Sequence, residues 1–194
     1  MRRGWTRFLV SVSALMLPLS VAGGSGTARQ AEKAVAAQRH NEVMLAGIRP
    51  GRDVVAKAIK RYGETSRTGD PSILWVDACR RETLTLDADQ KDRVEVVRVK
   101  LNESTGDCLP APPSPWRTGG GLRLYDACSK TVALYGNPDS RSPSTRDGRP
   151  LELLYYAFDW AGPDVPQVMQ VVCTVEKDGQ AGRVVQITLA ASSL

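Results

Sequence analysis

Arg52-Asp53-Val54-Val55-Ala56-Lys57-Ala58-Ile59-Lys60-Arg61-Tyr62-Gly63 and Tyr125-Asp126-Ala127-Cys128-Ser129-Lys130-Thr131-Val132-Ala133-Leu134-Tyr135-Gly136 carry Asp, Lys, Tyr and Gly at identical spacing. A similar lead-in stands before each, Gly47-Ile48-Arg49 and Gly121-Leu122-Arg123. Internal self-similarity is sought first because it governs the whole architecture. Each stretch reads as a short helix. Asp53 and Asp126 are placed to cap an N-terminus by accepting from its orphan amides. Val55, Ile59 and Tyr62 fall on one helical face, as do Cys128, Val132 and Tyr135. Gly63 and Gly136 stand where a helix ends in a left-handed residue. These Asp, Tyr and Gly residues thus have folding roles that need no catalytic explanation.

Strand-like runs follow both helices. Pro71 to Cys79, Thr83 to Asp87 and Asp92 to Leu101 come after the first. Pro150 to Trp160, Gln167 to Glu176 and Arg183 to Ala190 come after the second. Asp87-Ala88-Asp89-Gln90 and Lys177-Asp178-Gly179 read as hairpin turns between them. The expected fold class is α+β: two tandem copies of a helix followed by a three-stranded antiparallel meander. The copies are expected to form one mostly antiparallel sheet covered by helices on one face. The boundaries are a leader over 1–22, an Ala-, Gln-, Glu- and Lys-rich helical or partly ordered segment to 46, a first copy over 47–104, a Pro/Gly-rich linker over 105–120 and a second copy over 121–194.

A short helix ending in Tyr-Gly, and a meander closing on Gly182-Arg183-Val184-Val185-Gln186-Ile187, resembles two related groups. One is the SmpA/OmlA small outer-membrane assembly lipoproteins; the other is the secreted beta-lactamase inhibitor protein. The second resemblance is better in architecture, because that inhibitor has two tandem helix–meander copies and no lipid. It spans about residues 47–190. The resemblance implies an inhibitor-like or envelope-assembly-like role, although a shared fold does not by itself carry function over. The chain departs from the lipoproteins in having no cysteine before Cys79 to carry a lipid.

The N-terminus gives the compartment. Arg2, Arg3 and Arg7 precede an apolar run from Phe8 to Leu19, and Ser20-Val21-Ala22 places small residues where signal peptidase cuts, before Gly23. The apolar run is shorter than the roughly 20 residues of a membrane span, and every later hydrophobic run is short and charged. The expectation is a secreted or periplasmic protein with no membrane span. The leader holds three of the 26 basic residues and none of the 21 acidic ones, which leaves 23 against 21 and a net charge of +2 rather than +5. Basic and acidic residues are mixed throughout, without the basic stripe and interleaved aromatics of a nucleic-acid binder.

Cys79, Cys108, Cys128 and Cys173 are an even set in an oxidising compartment, which points to two disulfides. They lack the close pairs of a structural zinc site, and His40 is the one histidine. Cys128 lies on the packing face of its helix, and Cys173 alternates with Met169, Val171 and Val175, so 128–173 and 79–108 are the expected pairs. His40 reads as a solvated residue beside Arg39 and Asn41. Gly119-Gly120-Gly121 lacks the Lys and Ser/Thr of a phosphate loop and reads as a flexible joint. Asp87, Asp89 and Asp92 begin like a calcium loop but lack its glycine and distal Glu. Asn102-Glu103-Ser104 matches a glycosylation sequon, a tripeptide common by chance. No metal or cofactor is implied.

The remaining candidate site is a stripe. Alternation puts Leu153, Tyr155 and Ala157 on one face of their strand and Leu154, Tyr156, Phe158 and Trp160 on the other. Trp75 aligns with the second set. If the helices cover the first face, Trp75, Leu154, Tyr156, Phe158 and Trp160 form an uncovered interaction surface; otherwise they are core. The favoured function is a non-enzymatic protein-binding module whose partner is another exported or envelope protein, with no oligomeric state fixed. A carbohydrate- or peptidoglycan-binding protein would line a groove with Trp116, Tyr156 and Trp160. An envelope enzyme would bring at least two carboxylates together in a cleft.

Overall fold

The structure is a computed structural model and describes residues 40–65, 72–102, 113–158, 167–175 and 182–191. The leader, residues 27–39 of the expected helical segment, and the sequon residues Glu103 and Ser104 lie outside these residues. Two helices, α1 (Val55–Tyr62) and α2 (Cys128–Tyr135), accompany seven strands: β1 (Ser72–Asp77), β2 (Glu82–Ala88), β3 (Val94–Leu101), β4 (Ser140–Arg146), β5 (Arg149–Phe158), β6 (Gln167–Thr174) and β7 (Val184–Ala190). The strands form one antiparallel sheet in the order β1-β2-β3-β7-β6-β5-β4.

This corrects the expected fold class. The described residues form not two tandem copies of a helix and a three-stranded meander but mostly a single seven-stranded antiparallel sheet with two short helices. β3 and β7 pair directly, Val97 opposite Leu189, so the two halves share one ladder. Four strands follow α2 rather than three. The extra one, β4, reads Ser-Arg-Ser-Pro-Ser-Thr-Arg and has no apolar alternation to announce it. It is an edge strand, where Pro143 removes a ladder donor without harm and discourages pairing with another chain.

The register explains the core. Trp75, Leu84, Val99, Ile187, Val171 and Leu154 stand side by side across β1-β2-β3-β7-β6-β5, and all are buried. The next inner row runs Ile73, Leu86, Val97, Leu189, Met169, Tyr156, again all buried. Both helices lie on this face. The Tyr62 ring of α1 meets Trp75 at 6.0 Å, and the Tyr135 ring of α2 meets Tyr156 at 6.2 Å.

Helices of eight residues do not hold in isolation, so tertiary contacts fix their ends. Trp75 Nε1 donates to the Gly63 carbonyl at 3.0 Å, and Tyr156 Oη donates to the Gly136 carbonyl at 3.1 Å. Gly63 and Gly136 have φ of +88° and +77°, as a helix-ending glycine permits. The expected aspartate caps are corrected. Val54 and Ala127 occupy the N-cap positions without side-chain capping bonds. Asp53 instead accepts from Arg49 N and Lys57 Nζ, and Asp126 accepts from Arg123 N and Lys130 Nζ. Each aspartate therefore ties the preceding turn to its own helix.

The expected boundaries cut through packed structure. Glu42, Leu45 and Ala46, placed ahead of the first copy, are buried, as are Trp116 and Thr118 of the expected linker. Gly119-Gly120 is likewise no loose joint. The Glu42 carboxylate accepts from Val43 N, Met44 N and Gly120 N, each at 2.9 Å, and from Tyr135 Oη at 2.7 Å. Burial, with the Glu42 charge beside it, pushes the Tyr135 phenol far above its ordinary value.

Candidate functional site: the open sheet face and its basic end

Cys128 and Cys173 form a disulfide that pins α2 to β6. Cys79 is disulfide-bonded as well; its expected partner, Cys108, lies outside the described residues. Among those residues no helix is long and apolar enough to cross a membrane. His40 is exposed.

The aromatic stripe is corrected as a docking surface. Trp75, Leu154, Tyr156 and Phe158 are 8%, 1%, 0% and 4% exposed, under the helices rather than opposite them. The physical reason is that Tyr62 and Tyr135 project from the helices onto these very side chains. Trp160 lies outside the described residues. Trp116 is 5% exposed, so Trp116 and Tyr156 line no sugar-binding groove.

Burial of one face leaves the other for function. Its central row runs Leu74, Thr85, Arg98, Thr188, Gln170, Tyr155, Ser140 across all seven strands. The neighbouring row runs Val76, Thr83, Lys100, Gln186, Val172, Leu153, Ser142. Thr83, Thr188 and Val172 are buried by their neighbours; Val76, Lys100, Ser140 and Ser142 are exposed, and the rest are half-buried. Hydroxyls, amides, one phenol and two cations thus stand among the apolar side chains of Leu74, Val76, Val172 and Leu153. That mixture suits recognition rather than a packed interior.

At one end of this face lies a cavity of about 280 Å³. The β4–β5 hairpin supplies Arg146, Asp147 and Arg149, the β1–β2 turn supplies Arg81, and the turn before α2 supplies Tyr125. Leu101, Leu151 and Val185 add apolar wall. Arg146 Nη2 donates to Gln186 Oε1 at 2.5 Å, and Gln186 Nε2 donates to Thr188 Oγ1 at 3.2 Å. The cavity and the open rows are therefore one continuous polar surface. Sequence reading missed this end because β4 was not seen. Asp147-Gly148, a strong two-residue hairpin signal, would have found it.

Asp77 and Glu82 are the carboxylates that face each other directly, across β1 and β2. Burial pushes Glu82 above its ordinary value against the Ser114 hydrogen bond, and the Asp77 charge adds to the rise. For Asp77 burial acts upward but is outweighed by hydrogen bonds from Arg80 and Cys79, which hold its carboxyl low. Asp77 is ion-paired to Arg80, and Glu82 accepts from Ser114 Oγ. Both carboxylates have structural partners. A second cavity, about 740 Å³ beside the Cys128–Cys173 bridge, holds Arg141 and Glu152, already paired at 3.4 Å. Asp87, Asp89 and Asp92 form no metal-holding group among the described residues. Asp89 instead closes its own turn by accepting from Lys91 N and Arg93 N.

No family model matches the chain, and no curated protein matches it. Among solved structures it is similar to a DUF4309 family protein from Bacillus subtilis subsp. subtilis, at 11% identity and a TM-score of 0.40 over 75% of this chain and 83% of that one. It is also similar to a cysteine-rich secretory protein from Staphylococcus aureus subsp. aureus, at 10% identity and a TM-score of 0.37 over 78% of this chain and 47% of that one.

Proposed function

We propose that the chain is an exported, non-enzymatic protein-binding module that holds another exported or envelope protein on the open face of its sheet. The observation that carries this reading is the division of one seven-stranded sheet into two faces. One is buried beneath α1 and α2; the other presents half-buried Leu74, Thr85 and Arg98 on one side of buried Thr188 and half-buried Gln170 and Tyr155 on the other. A face with mixed apolar and hydrogen-bonding side chains is the material of protein interfaces. The engagement of Asp77 and Glu82 by structural partners speaks against the carboxylate-enzyme reading. The signal-peptide character of residues 1–22 supports export, and the Cys128–Cys173 bridge fits an oxidising destination.

The test is site-specific photo-crosslinking in the exporting cell. A crosslinker at Gln170 on the open face should trap a discrete protein partner, and one at Ser129 on α2 should not. Equal trapping from both positions, or none from Gln170, would overturn the reading. An N-terminus beginning at Gly23 on the recovered protein supports export, and an intact Met1 would refute the cleavage.

A further inference from the structure

The cavity at the end of the open face gathers more positive charge than its one carboxylate balances. Arg146 and Arg149 are direct cross-strand partners in the β4–β5 hairpin. Like charges placed opposite one another destabilise a strand pair. Arg81 adds a third guanidinium to the same cavity, and Asp147 is the one acidic residue lining it, leaving a formal excess of two positive charges. Among the described residues neither Arg81 nor Arg149 has an ion-pair partner.

Backbone geometry marks the same place. Among the described residues five other than glycine have positive φ, and three of them line this cavity: Arg81 at +57°, Tyr125 at +66° and Asp147 at +51°. Asp147 with Gly148, at +72°, has a local reason, since a two-residue hairpin turn of this kind needs positive φ at both positions. Arg81 and Tyr125 have turn reasons too: Arg81 N donates to the Ala78 carbonyl at 3.3 Å to close the β1–β2 turn, and Tyr125 takes the third place of the turn that Asp126 N closes on the Arg123 carbonyl at 3.4 Å. Tyr125 is also tied to the β1–β2 turn. Its phenol donates to the Arg80 carbonyl at 3.3 Å, while its ring stays 48% exposed.

We propose that this cavity is a recognition site for a carboxylate carried on a short aliphatic stem, the side chain of a glutamate in a protein segment laid along the open face. The guanidinium forks of Arg81 and Arg149 match a carboxylate with paired hydrogen bonds. Leu101 and Leu151 offer apolar wall to the methylenes of the stem, which a bare inorganic anion lacks. Arg146 is held to Gln186, so the site opens onto the rows of the open face rather than standing apart from them. The proposal rests on the protein-binding reading for the source of the carboxylate.

The test uses the exported full chain and a capped peptide, acetyl-Gly-Leu-Glu-Leu-Glu-Gly-amide, with its Gln counterpart and with sodium phosphate as competitor. The Glu peptide should bind at least about tenfold more tightly than the Gln peptide, the scale of one charge-assisted pair. R149Q or R81Q should erase that preference, and R141Q, at the separate cavity beside the disulfide, should leave it intact. D147N should tighten Glu-peptide binding, a gain that misfolding cannot mimic. R149Q should also raise the thermal midpoint of the free protein by removing the opposed charge. Equal binding of the two peptides, phosphate competing as strongly as the Glu peptide, or a preference unmoved by R149Q would each overturn the site. If Gln170 traps nothing while Arg149 still controls the Glu preference, the protein-binding reading falls and the site stands. Trapping at Gln170 without any Glu preference gives the reverse.

Discussion

Tyr135 donates a 2.7 Å hydrogen bond to the carboxylate of Glu42, joining the last residue of α2 to a segment 93 residues earlier in the chain. Thr118 Oγ1 lies 2.6 Å from the same phenol, and Gly120 N donates to the same carboxylate oxygen. Three distant pieces of chain therefore meet at one buried polar node. Tyr135→Phe removes one donor from a buried carboxylate and a partner from Thr118. It is expected to lower stability by about 1–3 kcal/mol, measured as a shift in the denaturant midpoint. Glu42→Ala strands four donors at once and should cost more. A midpoint unmoved by both would show the node to be ornamental.

Gly119 and Gly120 are fixed by that node. A methyl group on Gly119 would stand 2.7 Å from Glu42 Oε1, and one on Gly120 would stand 2.8 Å from Tyr135 Oη. Gly119→Ala and Gly120→Ala are each expected to cost about 1–3 kcal/mol through overpacking. Gly121 has open space for a Cβ but a φ of +87°, so Gly121→Ala should lose only about 1 kcal/mol. Three equal losses would mean that backbone freedom alone governs the segment.

Tyr156 belongs to the interior. Tyr156→Phe gives up one hydrogen bond to Gly136 and is expected to cost about 0.5–1.5 kcal/mol. Tyr156→Ala empties a fully buried site against Tyr135 and Phe158 and should cost about 3–5 kcal/mol. Calorimetry distinguishes this from a surface role, in which both variants would melt like the wild type.

Glu82 makes stability depend on pH. Its folded-state pKa lies above the ordinary 4.5, so the folded chain holds this proton more tightly than the unfolded one. Stability from this group is present in full below pH 4.5 and declines as pH rises through the raised value. Asp77, held below 3.8, acts oppositely: its contribution is present above 3.8 and is lost as pH falls through the lowered value. Glu82→Gln should flatten the decline above pH 4.5 in a series of urea midpoints and leave the acid limb set by Asp77. Parallel curves for wild type and variant would sink this assignment.

Replacing both Cys128 and Cys173 by serine should cost about 2–4 kcal/mol and loosen α2 first, because the bridge is its covalent tie to β6. Hydrogen exchange of the α2 amides against those of α1 provides the measurement. Uniform acceleration in both helices would contradict a local role.

The alternation of Leu and Tyr on β5, and of Met169 with Val171 on β6, made those strands readable, as did the Tyr-Gly endings of both helices. β4 was not readable. An edge strand with one neighbour and two solvated faces needs no apolar pattern, so Ser140 to Arg146 looks like a loop until its hairpin is noticed. Which face the helices cover was equally hidden. Leu153 and Leu154 are chemically alike, and only the reach of Tyr62 and Tyr135 onto Trp75 and Tyr156 breaks the tie. The cavity escaped for a third reason. Arg81, Tyr125 and Arg149 are scattered in the chain and meet only after the sheet has closed.

β7 is the last strand to leave the ribosome among those described, yet it sits at the centre of the sheet, zipped between β3 and β6. Until it arrives, Val97 and Val99 are paired on the β2 side alone, and the inner rows stop halfway. A nascent chain lacking β7 therefore carries two unfinished half-sheets with exposed edges. Contacts this distant in sequence also form slowly. The sheet is therefore complete only when its last described strand has been inserted between two others.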